Sequence, residues 1–221
     1  YFSKNSDKKQ IFFLLKNFSY AIKHSKTKNP DSNNNIQKII KKNNIEICIS
    51  TSFPYKINKS FISLFKVGII NLHPSILPKN RGSHHSFWGI YNNNDHGCTM
   101  HLMTEKLDNG PIIDQIKYKN NEALTASQVF QKSHKLMLKL LKKNIKHIYL
   151  NSFKIKNISK IKSTYHNKDM INQKINLYVT KKIKIEHLWR IIKGTNINNH
   201  GFYINTENNK YKIISKIKKI K

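Results

Sequence analysis

The chain has only two cysteines, Cys48 and Cys98, and no CxxC pair. A zinc site therefore has no thiolate support. Each cysteine falls in a predicted strand and reads as a small buried hydrophobe of a reducing compartment. Eleven histidines are scattered along the sequence. The adjacent His84 and His85 cannot easily bind one ion from a helix, so no metal is expected. No run approaches the ~20 apolar residues of a membrane span, and no secretory leader is visible. A cytoplasmic protein with no membrane partner is the expectation.

Acidic residues are scarce as well. Eleven Asp and Glu stand against 41 Lys and Arg, giving a formal net charge of +30. Such charge fits an anionic partner such as tRNA. Arginine is scarcer still, with Arg81 and Arg190 alone among the basic residues. Surfaces shaped for phosphate recognition recruit Arg for its planar fork. Lys, Asn and Ile instead dominate loops and strand edges alike, as in the codon usage of an A/T-rich genome. That general bias competes with a dedicated nucleic-acid surface as the source of the charge.

What is present is a recurring helix and strand pattern. The 221 residues suffice for one α/β domain of ordinary size with an appendage. Ile11, Leu14, Leu15, Phe18 and Ile22 keep helical spacing behind a capping Asp7, although QIFFLL alone also suits a strand. A polar stretch with Pro30 reads as a loop. The pattern then predicts a helix over 35–43 with Ile36, Ile39 and Ile40 on one side. A strand over 45–50, a loop over 51–56 and a helix over 58–65 follow. Further strands are predicted from Val67 to just before Pro74, over 98–103 and over 112–118. The longest helix spans 125–149, opened by a Thr125–Gln128 capping box. Beyond residue 150, a helix near 185–192 precedes an alternating strand within 210–217.

The residue types able to do chemistry gather between Asn71 and Gln115. Strand side chains alternate faces, so Asn71 and His73 point the same way at the end of an apolar strand. In open α/β sheets the crevice beyond the strand ends is where ligands bind. Asp108 lies in the loop between two later strands, whose turn Gly110 and Pro111 shape. Asn71, His73 and Asp108 can therefore converge at one rim of the sheet. A carboxylate stabilises a charged imidazole, and an amide N–H can steady a developing oxyanion. The set suits acyl transfer to an amine without a covalent intermediate.

The same residues carry a resemblance. Asn71, His73, Pro74, Ser75, Leu77 and Pro78 match an Asn-x-His-Pro-Ser-x-Leu-Pro run, and Asp108, Gly110, Pro111 and Ile112 match an Asp-x-Gly-Pro-Ile run. Arg81–Gly82 and the Gly97-to-His101 segment also fit. The chain resembles the formyltransferases that use 10-formyltetrahydrofolate, with a close match over about 50 residues and a looser one over about 35–150. The resemblance implies a Rossmann-like α/β sheet flanked by helices. It places a catalytic domain in residues 1–150 and a small α+β appendage in 151–221. Relatives usually open with a strand and a glycine-containing turn, and this sequence shows none. The chain is expected to lack the beginning of its first βαβ unit.

By the same resemblance Asn71 polarises the formyl oxygen, His73 is the acid/base group, and Asp108 sets the protonation of His73 and holds a water. Ser52, Phe53 and Tyr55, in the loop after the first strand, fall on the folate side, together with Leu107 and Gly110. The segment around Thr164, Tyr165 and His166 and the short tail resemble amino-sugar N-formyltransferases. The Ile-Asp-Trp run of the methionyl-tRNA enzymes is absent. The expected activity is formyl transfer to the amine of a nucleotide-linked amino sugar, and because amino-sugar relatives often pair through their C-terminal parts, the resemblance implies a homodimer. The alternatives are a methionyl-tRNA formyltransferase and an inactive, truncated folate-binding relative.

Overall fold

The computed structural model describes residues 34–51, 53, 56–121, 124–156, 161–197, 200–215 and 217. The helix expected over 7–22 lies outside them, as do Ser52 and Tyr55. By its contacts the chain divides into two compact units that alternate along the sequence. Among the described residues, the first takes 34–73, then Cys98–Ile116 and Leu136–Ile161. The second takes Pro74–Gly97, Lys117–Lys135 and the chain from Lys162 onward.

The first unit holds the larger sheet. Helix α1 (Asn34–Lys42) leads into β1 (Ile47–Thr51), and α2 (Lys59–Ile62) leads into β2 (Gly68–His73). Asn58 caps α2, its side-chain oxygen accepting from the Phe61 N–H at 2.9 Å. Strands β4 (His96–Leu102) and β5 (Ile112–Tyr118) complete a sheet of order β1-β2-β4-β5. β1 and β2 run parallel, whereas β2 and β4 run antiparallel. β2 is therefore central, which explains its near-continuous burial.

Alternation along β2 divides its side chains between two cores. Ile70 and Leu72 join Ile49, Cys98, Met100 and Ile113 against Met137, Leu140, Leu141 and Ile148 of α4 (Ala126–Tyr149). Ile69 joins Cys48, Ile36, Ile40, Phe61 and Phe65 on the other side. Ile39, expected on the buried side of α1, is 44% exposed. Ile36 and Ile40, one turn apart, suffice to seat so short a helix. Both cysteines are buried and free. Burial pushes the Cys98 thiol up to about 12, so it stays protonated and packs as an apolar group.

The second unit is built around aromatics. β3 (Arg81–Gly82) pairs in parallel with β6 (Tyr165–His166). α5 (Asn172–Ile175), β7 (Asn176–Tyr178), α6 (Ile185–Thr195) and the antiparallel pair β8 (Phe202–Asn205) and β9 (Lys210–Ile213) follow. α3 (His85–Tyr91) contributes Phe87 and Trp88 to a core with Ile171, Ile175, Ile191 and Phe202. The Thr125–Gln128 box closes as expected, with the Thr125 N–H donating to Gln128 Oε1 at 2.9 Å and the Gln128 N–H to Thr125 Oγ1 at 3.4 Å. No helix among the described residues is long and apolar enough to cross a membrane.

Two features of the first unit set testable limits on its stability. Asp114 on β5 is buried and accepts from Lys143 Nζ at 2.8 Å, from Asn144 Nδ2 at 3.1 Å and from Lys156 Nζ. Burial pushes this carboxyl up, but its three side-chain donors and the Gln115 N–H outweigh that and hold it well below the usual carboxylate range. A lowered folded-state pKa contributes stability that is complete above about pH 4 and lost as pH falls through the folded value. Asp114→Asn should therefore lower the thermal midpoint at pH 7 and narrow its gap to wild type as acid is added. A gap independent of pH between 7 and 2.5 would contradict this; thermal scans across that range (about one carboxyl's titration) measure it. Gly110 is the second feature. A Cβ there would lie 1.8 Å from the Leu102 carbonyl oxygen, and the Leu102 N–H donates to Pro111 O at 2.9 Å to close the loop base. Gly110→Ala must displace this loop, and a loss of about 1–3 kcal/mol in denaturant titration is expected.

Candidate active site

The polar cluster arises from strand register. Asn71 lies opposite Ser50 of β1 and opposite His101 of β4, and His73 lies opposite Thr99. Cross-strand partners share a face. The face that begins with apolar Ile69 thus turns polar at Asn71 and His73 as β2 reaches its carboxyl end. The loop between β4 and β5 returns Asp108 to the same place. Asp108 adopts φ +49°, a left-handed conformation that short polar side chains tolerate and that concentrates at functional sites.

The structure brings four side chains together. Asn71 Nδ2 donates to Asp108 Oδ1 at 3.4 Å and lies 3.1 Å from His101 Nε2. His73 Nδ1 is 3.5 Å from Asp108 Oδ2, and His101 Nε2 is 3.7 Å from Asp108 Oδ1. Asn71, His73 and His101 are buried, and the Asp108 side chain is only 8% exposed. A carboxylate so withdrawn from water is costly alone. Here the Asn71 amide donates to it and His73 Nδ1 lies beside its other oxygen, so that three segments of chain meet around the carboxylate. Such a cluster can donate a hydrogen bond to a carbonyl and carry a proton within a few ångströms of it.

The three residues singled out in the sequence, Asn71, His73 and Asp108, are thus neighbours in space. Leu107 is 37% exposed beside Asp108, and Gly110 forms the cramped base of the same loop. Phe53 is partly buried against the core that holds Cys48 and Ile69. His101 enters the cluster without any sign in the sequence beyond its place in the Gly97-to-His101 segment. Its partner is 30 residues away, and only the β2–β4 register makes them adjacent. Among the described residues no group of three or more His, Cys, Asp or Glu could hold a metal ion.

A profile of the formyl transferase family matches residues 6–145. The polymyxin resistance protein ArnA of Wigglesworthia glossinidia brevipalpis is 31% identical over 125 residues, covering 55% of this chain and 19% of that protein. A methionyl-tRNA formyltransferase of Borrelia hermsii is 29% identical over 116 residues, covering 50% and 38%. A GDP-perosamine N-formyltransferase of Brucella melitensis is 35% identical over 88 residues, covering 39% and 34%. The matches thus span between 19% and 38% of the length of these relatives. A sugar N-formyltransferase from Shewanella shares the fold, with a TM-score of 0.76 at 20% identity over 86% of this chain and 76% of that one. The N-formyltransferase from Helicobacter canadensis, solved with folinic acid and dTDP-3-aminofucose, gives 0.61 at 27% identity, covering 72% and 58%. With the family profile covering well over half of its length, and with the Asn-x-His-Pro run and the Asp-x-Gly-Pro loop meeting at one strand end, the chain belongs to the formyl transferase family.

Proposed function

We propose that this protein moves a formyl group from 10-formyltetrahydrofolate to the primary amine of a nucleotide-linked amino sugar. The observation that carries the reading is the convergence of Asn71, His73 and Asp108 around one point at the end of β2. The donor fits this chemistry, because its reactive carbon bears a carbonyl oxygen that must be polarised and a nitrogen that must be protonated to leave. The nucleotide-sugar acceptor is supported by the relatives that act on or bind such sugars. The folate side is assigned to the loop bearing Ser52, Phe53 and Tyr55 and to Leu107 and Gly110.

In the proposed reaction the neutral amine attacks the formyl carbon and forms the new C–N bond. The carbonyl oxygen becomes an oxyanion, and the Asn71 amide donates to it. The amine then gives up a proton, and the folate nitrogen gains one as its bond to the formyl carbon breaks. His73 carries that proton, with Asp108 beside Nδ1 holding the ring and compensating the imidazolium that forms. Protons balance, and no covalent enzyme intermediate is required.

A methionyl-tRNA acceptor is the second reading, favoured by the charge of +30 and by the Borrelia relative. Gel-shift titration with tRNA across salt separates the two. Phosphate contacts give a steep loss of affinity with salt. The sugar reading predicts weak, non-selective binding that vanishes by roughly 0.2 M salt, and tight binding selective for initiator tRNA would contradict it. For the chemistry itself, His73→Ala and Asp108→Ala should each lower formyl transfer by about 10²-fold or more. Their thermal midpoints should fall far less than a loss of folding requires. Near-normal turnover in both variants would overturn the assignment.

A further inference from the structure

We infer that His101 is a positioning residue whose unprotonated Nε2 fixes the orientation of the Asn71 amide, so that an N–H, and not the amide oxygen, meets the formyl group. The inference rests on the proposed formyl transfer. It starts from the other ring nitrogen. His101 Nδ1 lies 2.8 Å from the Leu102 carbonyl oxygen. A carbonyl can only accept, so Nδ1 carries the hydrogen. In the neutral ring Nε2 is then a bare acceptor, 3.1 Å from Asn71 Nδ2.

An amide can be turned over without changing its outline, so its neighbours decide which end is which. The end of Asn71 in this cluster faces two acceptors, His101 Nε2 and Asp108 Oδ1. The amide oxygen there would meet two lone pairs with no hydrogen between them. The NH2 group has two hydrogens and meets both acceptors. His101 therefore excludes the inverted amide, in which an acceptor oxygen would repel the forming oxyanion.

The two bonds are unequal. The contact to His101 is 3.1 Å and the one to Asp108 is 3.4 Å. The longer is the one that yields when a formyl oxygen arrives. Asn71 then keeps its bond to His101 as an anchor and turns its second hydrogen to substrate. The same Leu102 carbonyl that fixes the His101 tautomer is the one crowded against Gly110. The loop presenting Asp108 and the ring orienting Asn71 thus share one backbone oxygen.

Two measurements test this. Long-range 15N NMR on the full chain reads the His101 tautomer directly. The expected spectrum shows Nδ1 protonated, Nε2 bare, and scalar coupling between His101 Nε2 and Asn71 Nδ2 across the hydrogen bond. A protonated Nε2 at neutral pH overturns the inference, and this arm needs no turnover, so it decides even if formyl transfer fails. The kinetic arm compares two variants. Gln places an oxygen near the Nε2 position, whereas Asn keeps a donor near Nδ1 and supplies no acceptor to Asn71. His101→Gln should stay within about threefold of wild-type kcat, and His101→Asn should lose about 10-fold or more, with the KM for the folate donor within about twofold in both. Equal losses, or a greater loss in His101→Gln, would show a merely structural histidine.

Discussion

The register between β2 and β4 is the constraint on which the site depends. Antiparallel pairing sets Asn71 opposite His101 and His73 opposite Thr99. A slip of one residue would send Asn71 and His73 to the face where Ile70 and Leu72 now pack. The register is held by burial on both sides. Leu72 and Met100 are enclosed against α4, and Ile69 is enclosed against α1 and α2. Apolar burial of roughly 25 cal/mol per Å2 thereby holds polar side chains where water is largely excluded. There each of their mutual contacts is stronger than in solvent.

Much of this was legible in the sequence, for physical reasons. The strand ending at Pro74 announced itself, because proline cannot continue a central ladder. Alternation then placed Asn71 and His73 on one face. Gly110 and Pro111 marked a loop that could return Asp108. The Thr125–Gln128 box marked the start of α4, and the structure closes it. His101 was not legible. Its importance comes from a partner in another strand, and nothing local in its own segment encodes pairing direction. Ile39 illustrates the same limit, since spacing puts it near Ile36 and Ile40 while packing leaves it exposed.

Charge tells a separate story. The lysines are abundant, but the carboxylates in the described core are placed economically. Asp114 draws Lys143, Lys156 and Asn144 together between β5, α4 and the following segment. Asp108 instead faces two imidazoles and an amide. One buried carboxylate is met by fixed positive charge and serves as a clasp. The other is met by an amide donor and by the His73 ring, whose Nδ1 lies 3.5 Å away, which suits it to orienting an imidazole for proton transfer.

The central claim is that Asp108, His73 and Asn71 act as one catalytic unit and not as separate contributors. A double-mutant cycle on formyl transfer tests it most directly. If the unit account holds, the variant carrying both His73→Ala and Asp108→Ala should be about as slow as the slower single variant. Losses that multiply, so that the double variant is slower by the product of the two single effects, would contradict it.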